Sequence, residues 1–327
     1  MPTLGPDAAL ARAFEEGELP EGGTLLAAVS GGPDSMALLG AMMEVAPQHS
    51  ARFVVGHVDH GWRERSAADT RFVETFCRKR GIEFLSARAG PAPRGRSRED
   101  AARELRYRAL EEMRAATGSC AVVTAHTRDD AAETLLLAVL RGRPLSGVAG
   151  IRRRREDGVL RPLLDVSRAA ILAYLRRRGI RHRRDETNDD VAFERNWLRR
   201  RLVPILLRRY GDSALANLAA SAEALSRDRE WIDAVFAREV LPRIADGPGE
   251  ASADAAALSV LPPAALRRAL VVMAERAGRG GLTRPELFAL EALVRGGAPF
   301  RFQAGRRVDF RCRRGLISAR PCSGKSL

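Results

Sequence analysis

The residues best suited to chemistry lie in one short stretch, Ser30-Gly31-Gly32-Pro33-Asp34-Ser35. The apolar run Thr24 to Val29 before it reads as a buried parallel strand, and Met36 to Met43 after it reads as a helix packed on a sheet. A strand, a Gly- and Ser-rich turn and a helix N-terminus together make an anion site. Backbone N–H groups converge there, and the helix dipole favours negative charge. Gly31 and Gly32 permit tight or positive φ values and close approach of a phosphate to the backbone. Ser30 and Ser35 offer hydroxyl donors. No lysine follows, so the turn is not of the Walker type, whose lysine reaches the β- and γ-phosphates.

A second group, Asp129, Asp130 and Glu133, opens a predicted helix, with Asp130 and Glu133 on one face. Carboxylates there are favoured by the dipole, so ordinary capping competes with a chemical role. Facing phosphates, the pair suits Mg²⁺, which takes one or two carboxylates plus phosphate oxygens, and Asp34 is placed to share the ion. His57 and His60, three apart on a strand, point to opposite faces, and without a fourth soft ligand they do not suggest zinc. His126, at a strand end beside the acidic helix, is placed to meet developing negative charge. Arg103 and Arg106 share a helix face. They are either a solvated face paired with Glu104 or guanidinium forks aimed at phosphate.

Elements that position these residues alternate along the first half of the chain. Helix 7–16 leads to the first strand; further strands are expected at 52–61, 82–86 and 120–126, and helices at 66–80 (Ser66 its cap), 99–116 and 129–141. Residues 90–98, rich in Pro, Gly and Arg, read as a loop. The alternation predicts a parallel sheet with helices on both faces, whose ligands sit beyond the carboxyl ends of the strands. The SGGPDS turn, Asp59-His60-Gly61 and His126 to Asp130 all fall at that edge. From Leu160 the pattern turns helical (166–178, 195–210, 213–240). Pro242 to Gly249 reads as a break. Helices at 262–277 and 284–294 and short strands around 300–302 and 307–310 follow. The division expected is 1–211, a connecting helix 212–240, and a small, mainly helical C-terminal domain 241–327. Gly324-Lys325-Ser326 imitates a phosphate loop without the helix that would make it one.

Net charge is +14 from 55 Lys+Arg against 41 Asp+Glu, mostly as arginine, with runs at Arg152–Arg155, Arg176–Arg178 and Arg199–Arg201. That excess suits a polyanionic partner. No run of eighteen apolar residues spans a membrane, and the first residues lack a signal-peptide pattern, so a cytoplasmic location is expected. The four cysteines, Cys77, Cys120, Cys312 and Cys322, form no C-x-x-C pair; Cys77 in a helical pattern and Cys120 at the start of an apolar strand are expected to be buried core thiols, with no disulfide or zinc framework.

The SGGPDS turn resembles the PP-loop (SGGxDS) of the ATP pyrophosphatases, which hold the pyrophosphate and split ATP between the α- and β-phosphates. Further segments resemble the bacterial tRNA(Ile)-lysidine synthetases in order over residues 24–210. They are His57-Val58-Asp59-His60-Gly61-Trp62-Arg63, the Ala-Arg-x-x-Arg-Tyr segment at 102–107, and Thr124-Ala125-His126 through Asp129-Asp130 to Glu133-Thr134. After these come Arg161-Pro162-Leu163-Leu164 with Ser167-Arg168, Asp185 with Thr187-Asn188, and Arg195-Asn196-Trp197-Leu198-Arg199 ending at Pro204. Thr127 and Ala131 stand where the family usually has His and Gln. The second C-terminal domain of longer members is not expected here.

The resemblance implies an α/β, Rossmann-like PP-loop fold and a ligase using ATP and Mg²⁺. ATP adenylates the C2 oxygen of the wobble cytidine in a CAU-anticodon isoleucine tRNA. The ε-amine of free L-lysine then displaces AMP, giving lysidine and switching the codon read from AUG to AUA. Ser30 to Ser35 would bind ATP, with Asp34, Arg106, His126, Asp130 and Glu133 catalytic. Asp130 and Glu133 would serve as metal ligands or as the base for the amine. Arg103, Arg195, Asn196 and Arg199 would contact tRNA or phosphates, and a homodimer is left open. Competing readings are a base-thiolating PP-loop enzyme, disfavoured by the cysteines, a small-metabolite synthetase and a non-catalytic RNA-binding protein.

Overall fold

The computed structural model describes residues 4–59, 66–88, 90, 98–143, 150–183, 194–278, 281–305 and 307–322. His60 to Arg63, the Ser66 side chain, Asp185, Thr187, Asn188, most of the 90–98 loop and Gly324 to Ser326 lie outside what is described. Two compact units divide at Arg227/Asp228, inside the long helix Ser213–Glu239.

The first unit holds a parallel sheet of β1 (Thr24–Ala28), β2 (Arg52–Asp59), β3 (Phe84–Arg88), β4 (Ala121–Val123) and β5 (Val159–Leu160), in the order β3-β2-β1-β4-β5. Central β1 is apolar on both sides because helices cover both faces. Leu25 and Ala27 pack with α1 (Pro6–Glu15) and α2 (Pro33–Val45), while Leu26 packs against Leu110 and Met113 of α4 (Arg98–Ala116). Between them, on the Leu25 side, α3 (Ser66–Arg78) contributes Val73, Phe76 and Cys77. The register pairs Leu26 with Val54 on one side and Val122 on the other. The chain therefore leaves β1 toward β2 and returns to β4 on its opposite flank. That reversal makes a crevice at the carboxyl ends of β1 and β4.

Helix α5 (Arg128–Leu140) follows β4, and α6 (Arg168–Arg178) packs on α2. The α2–α6 approach is close. A Cβ on Gly40 would meet Ile180 Cδ1 at 2.5 Å and the Tyr174 ring at 3.1 Å, so any side chain there would force both to shift. Tyr174 donates to Glu44 across the same interface at 2.9 Å. The last helical stretch before the long helix is α7 (Glu194–Trp197), a π-helical turn (Leu198–Leu202) and α8 (Val203–Tyr210).

The second unit is richer in strand than its sequence suggests. Helices Ala255–Ser259, Pro263–Arg276 and Arg284–Gly296 accompany a five-stranded antiparallel sheet. Its two legible strands, Phe300–Ala304 and Val308–Arg313, are joined by Ile244–Gly247, Glu250–Asp254 and Leu316–Pro321. The stretch expected to be a break is a hairpin turning at Gly249, where φ is +65°. No described helix is long and apolar enough to cross a membrane.

Candidate active site

The turn between β1 and α2 is built as an open anion cradle. Gly31 has φ +89°, and a Cβ there would also press Val73 Cγ2 at 3.3 Å. Its carbonyl accepts from Arg183 N at 2.8 Å, which pins the turn from outside. Gly32 is the N-cap of α2 and provides no side-chain cap, so the first N–H groups of α2 are left for a ligand. The two serines differ. Ser35 is buried and its hydroxyl donates to Gly32 O at 3.0 Å while accepting from Ser30 N at 3.2 Å, so it holds the turn shut. Ser30 is exposed, and its hydroxyl lies 3.2 Å from that of Ser35.

Asp34 points from the first turn of α2 into the crevice. Its Oδ1 is buried with no hydrogen-bond partner. Burial, reinforced by the charges of Asp130 and Asp129 and opposed by Arg168 and Arg199, raises its pKa to about 6.

Across the crevice, Thr127 caps α5 in a capping box. Asp130 N donates to Thr127 Oγ1 at 3.4 Å, and Asp130 Oδ2 accepts from Thr127 N at 2.9 Å. Thr127 thus has a structural role. Asp129 Oδ2 accepts from Arg168 N at 3.0 Å, at the start of α6, and is likewise structural. Asp130 Oδ1 and both oxygens of Glu133 are held by two guanidiniums. Arg195 reaches Asp130 Oδ1 at 3.1 Å and Glu133 Oε2 at 3.0 Å; Arg199 reaches Asp130 Oδ1 at 2.9 Å and Glu133 Oε1 at 2.5 Å. Helix α7 and the π-helical turn put these arginines one turn apart on the face toward α5. π-Turns often mark such sites. Although burial opposes its ionisation, Arg195 and Arg199 hold Asp130 below the usual carboxylate range. Asn196, expected to contact tRNA or phosphate, is buried at 8% exposure.

His126 follows β4, with Nδ1 3.1 Å from Thr124 Oγ1. Burial and then the neighbouring charge of Arg161 push its pKa well down, against the opposing charge of Asp130, so it is a neutral imidazole. His57 is buried and its Nδ1–H donates to Val29 O at 2.8 Å, bracing β2 against the residue that follows β1. Arg103 and Arg106 sit over the Tyr107 ring, their guanidinium carbons 5.5 and 5.2 Å from its centroid. All four cysteines are free thiols; Cys77 is buried as expected, but Cys120, just before β4, is exposed because it precedes the covered part of the strand.

The described residues contain no cluster of three or more His, Cys, Asp or Glu able to hold a metal ion by themselves. Asp34 keeps a buried carboxylate oxygen without a hydrogen-bond partner, whereas Asp130 and Glu133 already accept N–H donors on all four oxygens. Sequence reasoning gave no role to Arg161 and Arg168, which shape the charge around His126 and Asp34. Their only signal was their place in the Arg-Pro-Leu-Leu and Ser-Arg segments.

A β3-β2-β1-β4-β5 parallel sheet, with SGGPDS at its switch point and no Walker lysine, defines a nucleotide-binding protein of the PP-loop class. A family model described as a PP-loop domain matches residues 7–206. A U34-tRNA thiolase, NcsA, from Methanococcus maripaludis shares the fold at TM-score 0.58 and 13% identity, over 68% of this chain and 78% of that one. Among curated proteins, a tRNA(Ile)-lysidine synthase of Symbiobacterium thermophilum is 38% identical over 84% of this chain. One of Salinispora arenicola is 38% identical over 89% of it. The chain spans 59% of the length of the first and 89% of the second. It belongs to the tRNA(Ile)-lysidine synthase family of PP-loop ligases.

Proposed function

We propose that the protein ligates free lysine to C2 of the wobble cytidine of a CAU-anticodon isoleucine tRNA, through an adenylated RNA intermediate. The observation that carries this reading is the crevice itself. An uncapped α2 N-terminus and the unpartnered Asp34 face an arginine-bound carboxylate pair.

The backbone N–H groups after Gly31 and the exposed Ser30 hydroxyl bind the pyrophosphate part of ATP. Asp34 would hold Mg²⁺ together with phosphate oxygens; the ion, when bound, neutralises phosphate charge. The cytidine O2 attacks the α-phosphorus, the bond to the bridging oxygen breaks, and pyrophosphate leaves. Arg106 meets the charge that develops on the non-bridging oxygens, while neutral His126 offers a hydrogen bond and no charge. The lysine ε-amine then attacks C2 and the C–O bond to AMP breaks. The amine must attack unprotonated. Asp130 and Glu133, whose oxygens already receive N–H donors, suit an ammonium better than a metal and accept its proton as Arg195 and Arg199 give way.

Exposed Trp197 on α7 and Tyr210 on α8 flank exposed Arg201 of the π-helical turn and Arg208 and Arg209 of α8, aromatic faces among cations that fit an RNA strand. In the second unit, exposed Phe288 carries Arg267 and Arg284 over its ring at 4.8 and 5.8 Å, which supports an RNA-contacting role there too. A tRNA substrate implies a cytoplasmic setting.

The intermediate is the test. Incubated with ATP labelled at the α-phosphate, Mg²⁺ and the tRNA but no lysine, the protein should transfer label to RNA, and added lysine should release it as AMP. RNA that never carries label, or label that lysine fails to release, contradicts the proposal.

A further inference from the structure

Beside His126, and outside the PP-loop and the acidic pair, four arginines gather on one phenol ring. The guanidinium carbons of Arg155, Arg106 and Arg103 stand 4.5, 5.2 and 5.5 Å from the Tyr107 centroid. Arg161 donates from Nη2 to the Tyr107 hydroxyl at 3.2 Å. Arg161 is 3% exposed and its Nε is buried with no partner. Among the described residues one carboxylate, Asp157, serves this group, and it pairs with Arg155 at 2.7 Å.

Elsewhere in this unit comparable arginines are neutralised. Arg153, from the same run, meets Asp165, Glu18 and Glu223, and Arg195 and Arg199 meet Asp130 and Glu133. Like charges crowded on a half-buried ring repel one another, and burial with the neighbouring cations lowers the pKa of Arg103. Cations crowded on one ring, with the buried Nε of Arg161 unused and one carboxylate among the described residues pairing with Arg155, are arranged for an anion from outside.

We propose that Arg103, Tyr107, Arg155 and Arg161 form a second phosphate subsite, distinct from the PP-loop, which takes a backbone phosphodiester of the RNA strand flanking the reacting nucleotide. It rests on the proposed RNA substrate. The α2 cradle, with its uncapped N-terminus, already provides for the phosphates of ATP. Arg155 comes from the loop before β5 and Arg103 from α4, so the subsite joins two elements around a ring that fixes their guanidiniums. Tyr107 serves as their platform and acts as a positioning residue.

Binding of a fluorescent anticodon stem-loop RNA is measured by anisotropy over a range of salt, for the wild type, Arg155→Gln, Arg103→Gln and Tyr107→Phe. Affinity for α,β-methylene-ATP is measured calorimetrically on the same proteins. Each arginine substitution should flatten the slope of log Kd against log salt by about 0.7–0.9, the loss of one phosphate contact, and leave the nucleotide affinity within twofold of wild type. Tyr107→Phe, which keeps the ring and frees Arg161, should change the RNA slope less than either. Weaker nucleotide binding with an unchanged RNA slope would give the cluster to ATP and overturn the proposal. Unchanged binding of both ligands would make it structural and overturn it equally. Failure of the functional reading is distinguishable, because the wild type itself would then not bind the RNA.

Discussion

Replacing Asp34 with asparagine is expected to stabilise the protein above pH 6 while abolishing adenylation. The buried carboxyl titrates at about 6 in the folded protein against 3.8 as the ordinary value. At about 1.4 kcal/mol per pH unit, holding it ionised at pH 7.5 costs the folded state about 3 kcal/mol. The sign follows from proton uptake. Between pH 4 and 6 the folded protein binds the proton and the unfolded chain does not, so stability falls as pH rises through this window and stays lower above it. Asparagine keeps the shape and removes the charge, so Asp34→Asn should gain nothing at pH 4 and up to about 3 kcal/mol at pH 7.5. For a unit of this size that is about 6–12 °C in Tm. Differential scanning calorimetry of both proteins at the two pH values measures it. An equal Tm difference at pH 4 and pH 7.5, or a less stable variant at pH 7.5, would show that the buried charge of Asp34 does not cost the fold this stability.

Glu133→Gln leaves two partly buried guanidiniums facing one carboxylate, and a loss of about 2–3 kcal/mol is expected in urea unfolding, with Arg199→Gln in the Glu133→Gln background costing much less than it does alone. Gly40→Ala drives a methyl into Ile180 and the Tyr174 ring and should cost about 1–3 kcal/mol, read as a lower Tm without a change in ATP affinity. In the pH profile of adenylation, the acid limb should fall near 6 and follow Asp34. It should persist in His126→Gln at reduced rate, because His126 is already neutral at that pH.

The heart of the site was legible because its logic is local. Thr24 to Met43 is one contiguous strand, turn and helix, and Gly31 occupies the positive φ that its type allows. Asp130 and Glu133 share a face by helical spacing alone. What holds them was not legible, since Arg195 and Arg199 lie more than sixty residues away and reach them only through packing of α7 on α5. The division of labour between Ser30 and Ser35 likewise depends on which hydroxyl the turn buries. In the second unit the strands Ile244–Gly247 and Glu250–Asp254 are rich in Ala, Asp and Gly, residues poor in strand preference, and are strands because their neighbours pair with them.

Transfer of lysine to one RNA is open to direct measurement. Purified protein incubated with ATP, Mg²⁺, radiolabelled lysine and an isoleucine tRNA transcript bearing a CAU anticodon should put label into that RNA. A methionine tRNA and Asp34→Ala protein in parallel should give none. Label in neither RNA, while the wild type still binds ATP, or equal label in both would contradict the account.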